Sequence, residues 1–145
     1  MRLVLASASP ARLSVLRAAG VEPLVEVSAV DEDALLAELG EASPADTVTT
    51  LALAKARTVA ERVAEAQPEC VVVGADSMLF LDGELVGKPG TVDAARGRWD
   101  QMAGRTAELF TGHALVRVAD GGPGQEVAGH AVTAVDGGNG VGDVD

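Results

Sequence analysis

The side chains best suited to chemistry on an anion fall at five places: Ser7 and Ser9 with Arg12, the carboxylates Asp31-Glu32-Asp33, Lys55, Asp76 with Ser77, and Lys88 within Gly87-Lys88-Pro89. Ser9-Pro10 reads as a helix start. Pro10 suits the first helical position, where a missing N–H costs nothing, and the Ser9 hydroxyl suits the N-cap. Backbone N–H groups at a helix start, two hydroxyls and the Arg12 guanidinium one turn in make an anion site that fits phosphate. The plainer reading, a helix cap and nothing more, stays open. The three carboxylates can hold a divalent cation through oxygen donors, or form a solvated loop or the acidic first turn of a helix. Asp76 follows Cys70-Val71-Val72-Val73, a run of the kind buried on both faces of a sheet, and ligands of open α/β sheets collect just outside such strand ends. Its alternative is a local turn made by its own side chain, with Gly74 permitting a bend.

The elements that must position these groups follow from pattern. Residues 3–5 are an apolar run too short for a helix, so strand, turn and helix are expected through residue 12, with the helix running over about residues 10–19 to Gly20. Residues 24–27 read as a short strand after Pro23 and residues 38–46 as a loop. The long alanine-rich stretch from residue 44 or 45 to 66 is a helix. At about 100° per residue, Val48, Leu51, Ala52, Val59 and Val63 share one side of it, and Lys55 lies within that stripe. A lysine there either snorkels to the edge or meets an anion in a cleft. Asp82-Gly83 between two apolar runs predicts a hairpin that returns Lys88 towards Ser77 and Asp76. A helix over about residues 91–102 carries Trp99 as a core anchor, and residues 106–119, broken near Gly112, and 125–135 read as strands. His113 and His130, far from acidic or cysteine partners, read as structural or surface residues.

With 145 residues, 48% of them hydrophobic, the chain suits one domain with a buried core. Its 22 acidic against 11 basic residues give a net charge of −11, which disfavours nucleic acid and anionic membranes as partners. Any polyanionic ligand then needs local cations or a metal. The single cysteine, Cys70, excludes an internal disulfide and a cysteine-built zinc site, and points to a reducing, cytoplasmic setting. Neither a secretory leader nor a membrane helix is expected.

In order and spacing, Ser7-Ala8-Ser9-Pro10-Ala11-Arg12, Asp31-Glu32, Leu51-Ala52-Leu53-Ala54-Lys55-Ala56, Gly74-Ala75-Asp76-Ser77 and Gly87-Lys88-Pro89 closely resemble the Maf family, nucleoside triphosphate pyrophosphatases once linked to septum formation. The resemblance spans about residues 2–118 and extends towards 135. It implies an α/β fold like that of inosine triphosphate pyrophosphatases, with a mixed sheet, flanking helices and a cleft between two lobes. It also implies hydrolysis between the α and β phosphates of a nucleoside triphosphate, giving the monophosphate and pyrophosphate with a divalent metal cation, Mg²⁺ or Mn²⁺. Carried over by motif, Asp76 becomes the proton acceptor and, with Glu32, a metal ligand, while Ser7, Ser9, Arg12, Lys55 and Lys88 hold the triphosphate. Phosphoryl transfer needs neutralised non-bridging oxygens and an aligned nucleophile, which such a set supplies.

Two departures from the family bear on expectation. Arginine is frequent where this chain has Ala11, so Ala11 and Ser77 are the expected specificity positions, with the preferred base left open. Family members also continue into a segment with a Lys-Ala-Gly-x-Tyr motif, and this sequence contains no tyrosine. The expected organisation is a C-terminally truncated pyrophosphatase domain over residues 1–135 and a disordered Gly/Asp-rich tail over 136–145. Expected partners are a nucleoside triphosphate and a second copy in a homodimer. The alternatives are a non-catalytic nucleotide-binding or division-regulating relative, and a different phosphate-ester enzyme on a similar scaffold.

Overall fold

The computed structural model describes residues 2–81, 84–86 and 106–136. In chain order these form β1 (Arg2–Leu5), α1 (Pro10–Ala18), β2 (Leu24–Val25), α2 (Glu32–Leu39), α3 (Pro44–Val63), β3 (Cys70–Leu81), β4 (Glu84–Val86), β5 (Thr106–Ala119) and β6 (Gly122–Asp136). The strands make one mixed six-stranded sheet in the order β2-β1-β3-β5-β6, with β4 also on β3. β1 runs parallel to β2 and to the first third of β3, pairing Arg2 with Cys70 and Leu5 with Val73. β5 is antiparallel to β3 over its whole length, from Cys70↔Val118 to Leu81↔Ala107. β5 occupies one edge of β3 throughout, so β1 and β4 share the other. β1 pairs there only as far as Val73 and β4 only from Leu79 onward. Between them, among the described residues, a stretch of β3 centred on Asp76 faces an opening in the sheet.

α3 covers one face of the sheet and makes its core. Like α1 it starts on Ser-Pro, with Ser43 accepting from the Asp46 N–H as Ser9 does from the Arg12 N–H. On its inner side Ala52, Ala56, Val59 and Ala60 are wholly buried against Val4, Val72, Ala114, Val116 and Val118, and Val48 and Leu51, also wholly buried, pack with Met78. The helix lies unusually low on the strands. A Cβ on Gly74 of β3 would stand 2.3 Å from the Ala52 carbonyl oxygen, and one on Gly112 of β5 would stand 2.1 Å from that of Val48. Neither glycine bends its strand. β5 is continuous through Gly112, which pairs with both Asp76 and His130, so the expected break there is wrong: this glycine makes room for helix backbone. The ladder irregularity falls instead between Val116 and Val118.

Other expectations need smaller corrections. Asp76 lies within a twelve-residue strand, beyond the end of the parallel β1 pairing but not of the strand itself, so its turn-forming alternative does not hold. Asp31-Glu32-Asp33 is a helix start, with the Asp31 carboxylate accepting from the Ala34 N–H, and the first part of the expected loop at 38–46 closes α2. β2 spans only Leu24–Val25, and α1 and α3 end at Ala18 and Val63. His113 and His130 are exposed, and Cys70 is a buried free thiol. The Asp82-Gly83 turn, Lys88, the helix expected over 91–102 with Trp99, and tail residues 137–145 lie outside the described residues.

α2 joins the core through Leu35 and Leu36, which pack with Val48, Leu51 and Met78 beside the edge-to-face pair Phe80 and Phe110, whose centroids are 5.2 Å apart. The opposite sheet face carries an apolar row across five strands, Val25, Leu5, Val73, Leu115 and Val127, set by the register. Leu5 is buried, whereas Val25, Leu115 and Val127 are 44%, 43% and 67% exposed.

The seating of α3 gives a direct test. Gly112→Ala should destabilise the fold by about 3 kcal/mol, the upper range of overpacking, because helix backbone must move. Gly129→Ala on β6, where an added Cβ meets nothing within 4 Å, should change stability by less than about 1 kcal/mol. Urea unfolding midpoints of the two variants measure the difference.

Candidate active site

Low seating of α3 brings Lys55 to the level of the opening in the sheet. Gly74 and Asp76 project from the same face of β3, two residues apart, so the carboxylate of Asp76 points at the helix one residue from Ala56. Lys55 Nζ donates to Asp76 Oδ1 at 2.7 Å and lies 2.6 Å from Glu32 Oε1. Glu32 reaches it because it shares a helical face with Leu35 and Leu36, three and four residues on, which pack half-buried against the core and turn that face inward. The Lys55 side chain is 15% exposed and that of Glu32 45%. Asp76 is 7% exposed, and its Oδ2 is buried with no hydrogen-bond partner among the described residues.

Arg12 approaches from the other face of the strand. Its Nη1 donates to Ser7 Oγ at 3.2 Å and its Nη2 to Ser77 Oγ at 3.0 Å. Ser77 Oγ lies in turn 3.1 Å from Thr111 Oγ1, its directly opposed neighbour on β5. Ser7 Oγ also accepts from the Ser9 N–H at 3.2 Å, so its own proton is available to an acceptor in the cleft. Ser9 caps α1 through a 3.4 Å bond from the Arg12 N–H. Asp76 and Ser77, successive residues, thus carry one cation on each side of β3.

Burial pushes the Asp76 carboxyl above the ordinary carboxylate range, and the charge of Glu32 adds to this, against the opposing hydrogen bond and charge of Lys55. Lys55 also loses solvation, but its two carboxylate partners outweigh that and raise its pKa. Desolvation lowers that of Arg12, against the charge of Asp76, and the guanidinium remains charged. The cations border a cleft of about 620 Å³ between the β1–α1 loop and the start of α2. Ser7, Arg12, Glu32 and Lys55 line it, with Ser9 at the rim of α1, and Asp76 lies beneath Lys55.

Of the residues singled out in the sequence, the structure brings Ser7, Ser9, Arg12, Glu32, Lys55, Asp76 and Ser77 around one opening. Ala11 is exposed on the first turn of α1. Lys88 lies outside the described residues. Lys55 does not merely snorkel: the anions it meets are the protein's own carboxylates. Thr111 was invisible in the sequence, since only the strand register places it opposite Ser77. Among the described residues no group of three or more His, Cys, Asp and Glu side chains is arranged to hold a metal ion, and no helix is long and apolar enough to cross a membrane.

A family profile described as "Maf-like protein" matches residues 2–136. This chain belongs to the Maf-like protein family. The Maf-like chain is 59% identical over 136 residues to a protein of Mycobacterium sp. (strain JLS) named nucleoside triphosphate pyrophosphatase, covering 92% of this chain and 65% of that one. It is 58% identical over 134 residues to a protein of the same name from Rhodococcus jostii (strain RHA1), covering 91% and 63%. It therefore spans just under two thirds of the length of these relatives. Its fold matches a nucleoside-triphosphatase described as a dITP/XTP pyrophosphatase from Mycobacterium abscessus, with a TM-score of 0.55 at 20% identity over 92% of this chain and 72% of that one. It also matches a HAM1 protein from Coxiella burnetii, with a TM-score of 0.54 at 16% identity over 94% and 72%. The mixed sheet with flanking helices is thus that of the inosine triphosphate pyrophosphatase-like fold.

The raised pKa of Asp76 carries a sign that can be checked on the metal-free protein. A carboxyl whose folded pKa lies above its unfolded value contributes stability that is full below about pH 4 and is lost as the pH rises through the folded value. Asp76→Asn cannot lose it, and Lys55 keeps Glu32 in that variant. Unfolding of both proteins in EDTA should show Asp76→Asn gaining on wild type as pH is raised from about 3.5 towards neutrality. A constant or shrinking gap would contradict the assignment.

Proposed function

We propose that this Maf-like chain is a nucleoside triphosphate pyrophosphatase that hydrolyses the bond between the α and β phosphates. The observation that carries the proposal is Asp76: a buried carboxylate at an opening in the sheet, its pKa raised, with an orphaned oxygen and with Lys55, Arg12 and Ser7 set around it. The names of its relatives support the same reading.

In this reading Ser7, Ser9, Arg12 and Lys55 bind the triphosphate, joined by Lys88. Phosphate entering the cleft competes with Asp76 and Glu32 for the Lys55 ammonium. As Lys55 turns to the phosphate it uncovers Asp76, which then faces water held near the α phosphorus. Asp76 accepts a proton from that water as its oxygen bonds to the α phosphorus. The bond from this phosphorus to the bridging oxygen breaks, and pyrophosphate leaves with the bonding electrons. A carboxylate with a raised pKa is the better base for this step. Ala11, exposed beside the cleft, leaves space for a base, and with Ser77 marks where base preference is set. A single buried thiol in an acidic chain suits the reducing cytoplasm.

The residues present also fit a divalent cation. Two hard oxygen donors, Asp76 and Glu32, converge on one cationic group, and Asp76 Oδ2 is buried without a partner among the described residues. Mg²⁺ and Mn²⁺ are commonly held by one or two carboxylates, with phosphate and water completing the shell. When bound, such an ion supplies neutralisation of charge on the non-bridging oxygens.

Pyrophosphate and monophosphate formation from a panel of nucleoside triphosphates with Mg²⁺ or Mn²⁺ tests the proposal. Asp76→Asn should lower kcat by about 10²-fold or more, the scale of a lost general base. EDTA should abolish turnover, and reaction in ¹⁸O-water should place the label in the monophosphate. Label in pyrophosphate would move the attack to the β phosphorus. Nucleotide binding without turnover by the folded wild-type chain would leave a non-catalytic binding protein.

A further inference from the structure

We propose that Thr111 is a positioning residue for the Arg12 guanidinium, acting through the hydroxyl of Ser77. The inference rests on the reading of Arg12 as a phosphate ligand, and it starts from an asymmetry of donors. A guanidinium only donates, so Ser77 Oγ must present a lone pair to Arg12 Nη2 across their 3.0 Å contact. A serine hydroxyl is a rotor, and nothing within Ser77 itself holds that lone pair in place. Thr111 Oγ1, 3.1 Å away, does so, either by taking the Ser77 proton or by donating its own to the second lone pair. In both arrangements a lone pair of Ser77 stays directed at Arg12.

The register makes this a rigid device. Ser77 and Thr111 are directly opposed in the β3–β5 ladder, which is continuous on both sides of them, so their oxygens are held by backbone pairing. Thr111 is also followed by Gly112, the residue over which α3 is seated, so its strand cannot shift without lifting the helix. The far end of Arg12 is held by Ser7, in the loop after β1. The guanidinium therefore spans from that loop to β3, and Thr111 anchors the β3 end. Thr111 does not line the cleft and makes no hydrogen bond to Arg12; its effect passes through one hydroxyl.

Two measurements separate this proposal from the catalytic reading. In the ligand-free protein, NMR of the Arg12 side chain should show hindered rotation of the terminal guanidinium nitrogens. That rotation should be at least threefold faster in Thr111→Val, which keeps the shape and strand preference of the side chain but removes the oxygen, and restored in Thr111→Ser. In binding experiments with an α,β-methylene nucleoside triphosphate, Thr111→Val should raise Kd about three- to tenfold, the effect of one neutral hydrogen bond. For hydrolysis KM should follow, with kcat within about twofold of wild type. In a Ser77→Ala background, Thr111→Val should add nothing. Unchanged Arg12 rotation in Thr111→Val, or full additivity with Ser77→Ala, would overturn the proposal. Wild-type protein with hindered Arg12 rotation but no hydrolysis would overturn the pyrophosphatase reading and leave this one standing.

Discussion

The distance between α3 and the sheet is the constraint on which the rest depends. Two glycines on neighbouring strands, Gly74 and Gly112, let the backbone of the helix rest on the strands where ordinary side chains would hold it away. The helix presents Val48, Ala52 and Ala56 in one ridge to those glycines, so its position along the sheet is fixed as well as its height. From that seating follows the reach of Lys55 to Asp76. A helix one methyl group higher would leave a buried carboxylate with its counter-charge drawn away, a costly arrangement for both groups. Packing and electrostatics are here the same fact.

The charge distribution resolves an apparent contradiction in the composition. A chain with a net charge of −11 repels polyanions at long range, yet Arg12 and Lys55 stand at one cleft. Each is held by short, directed contacts, Arg12 by hydroxyls and Lys55 by carboxylates. The difference matters. Hydroxyls bring no charge of their own to Arg12, which feels a carboxylate only through the nearby Asp76, while Lys55 meets two carboxylates directly. The opening between β1 and β4 lets both act in one space although they approach β3 from opposite faces.

Much of this was legible in the sequence because it is local. Ser-Pro starts, the apolar stripe of α3 with Lys55 inside it and the valine run before Asp76 are patterns of adjacent or helically spaced residues, and the structure contains each of them. What was not legible depends on contacts between distant segments. Gly112 read as a strand break, because a glycine required by a helix crossing above looks the same as one required by a bend. Whether Asp31-Glu32-Asp33 is a loop or a helix start depends on Leu35 and Leu36 docking against α3. Thr111 carried no signal at all, since its partner is 34 residues away in sequence. Four of the five short motifs resembling the Maf family lie within the described residues, and the structure gathers side chains from all four around one opening through contacts that the motifs themselves do not give.

The apolar row on the sheet face away from α3 has a consequence for how this chain behaves in solution. Val25, Leu115 and Val127 offer exposed apolar side chains on this face, and β6 is, among the described residues, a long strand at the edge of the sheet, where edges readily pair with one another. Opposing this is the mutual repulsion of strongly acidic surfaces, which acts over the Debye length, about 8 Å at physiological ionic strength and about 3 Å at 1 M salt. Colloidal stability of the isolated chain is thus an electrostatic property layered over a hydrophobic one: dilute buffer keeps copies apart, and concentrated salt removes the barrier while strengthening the attraction beneath it.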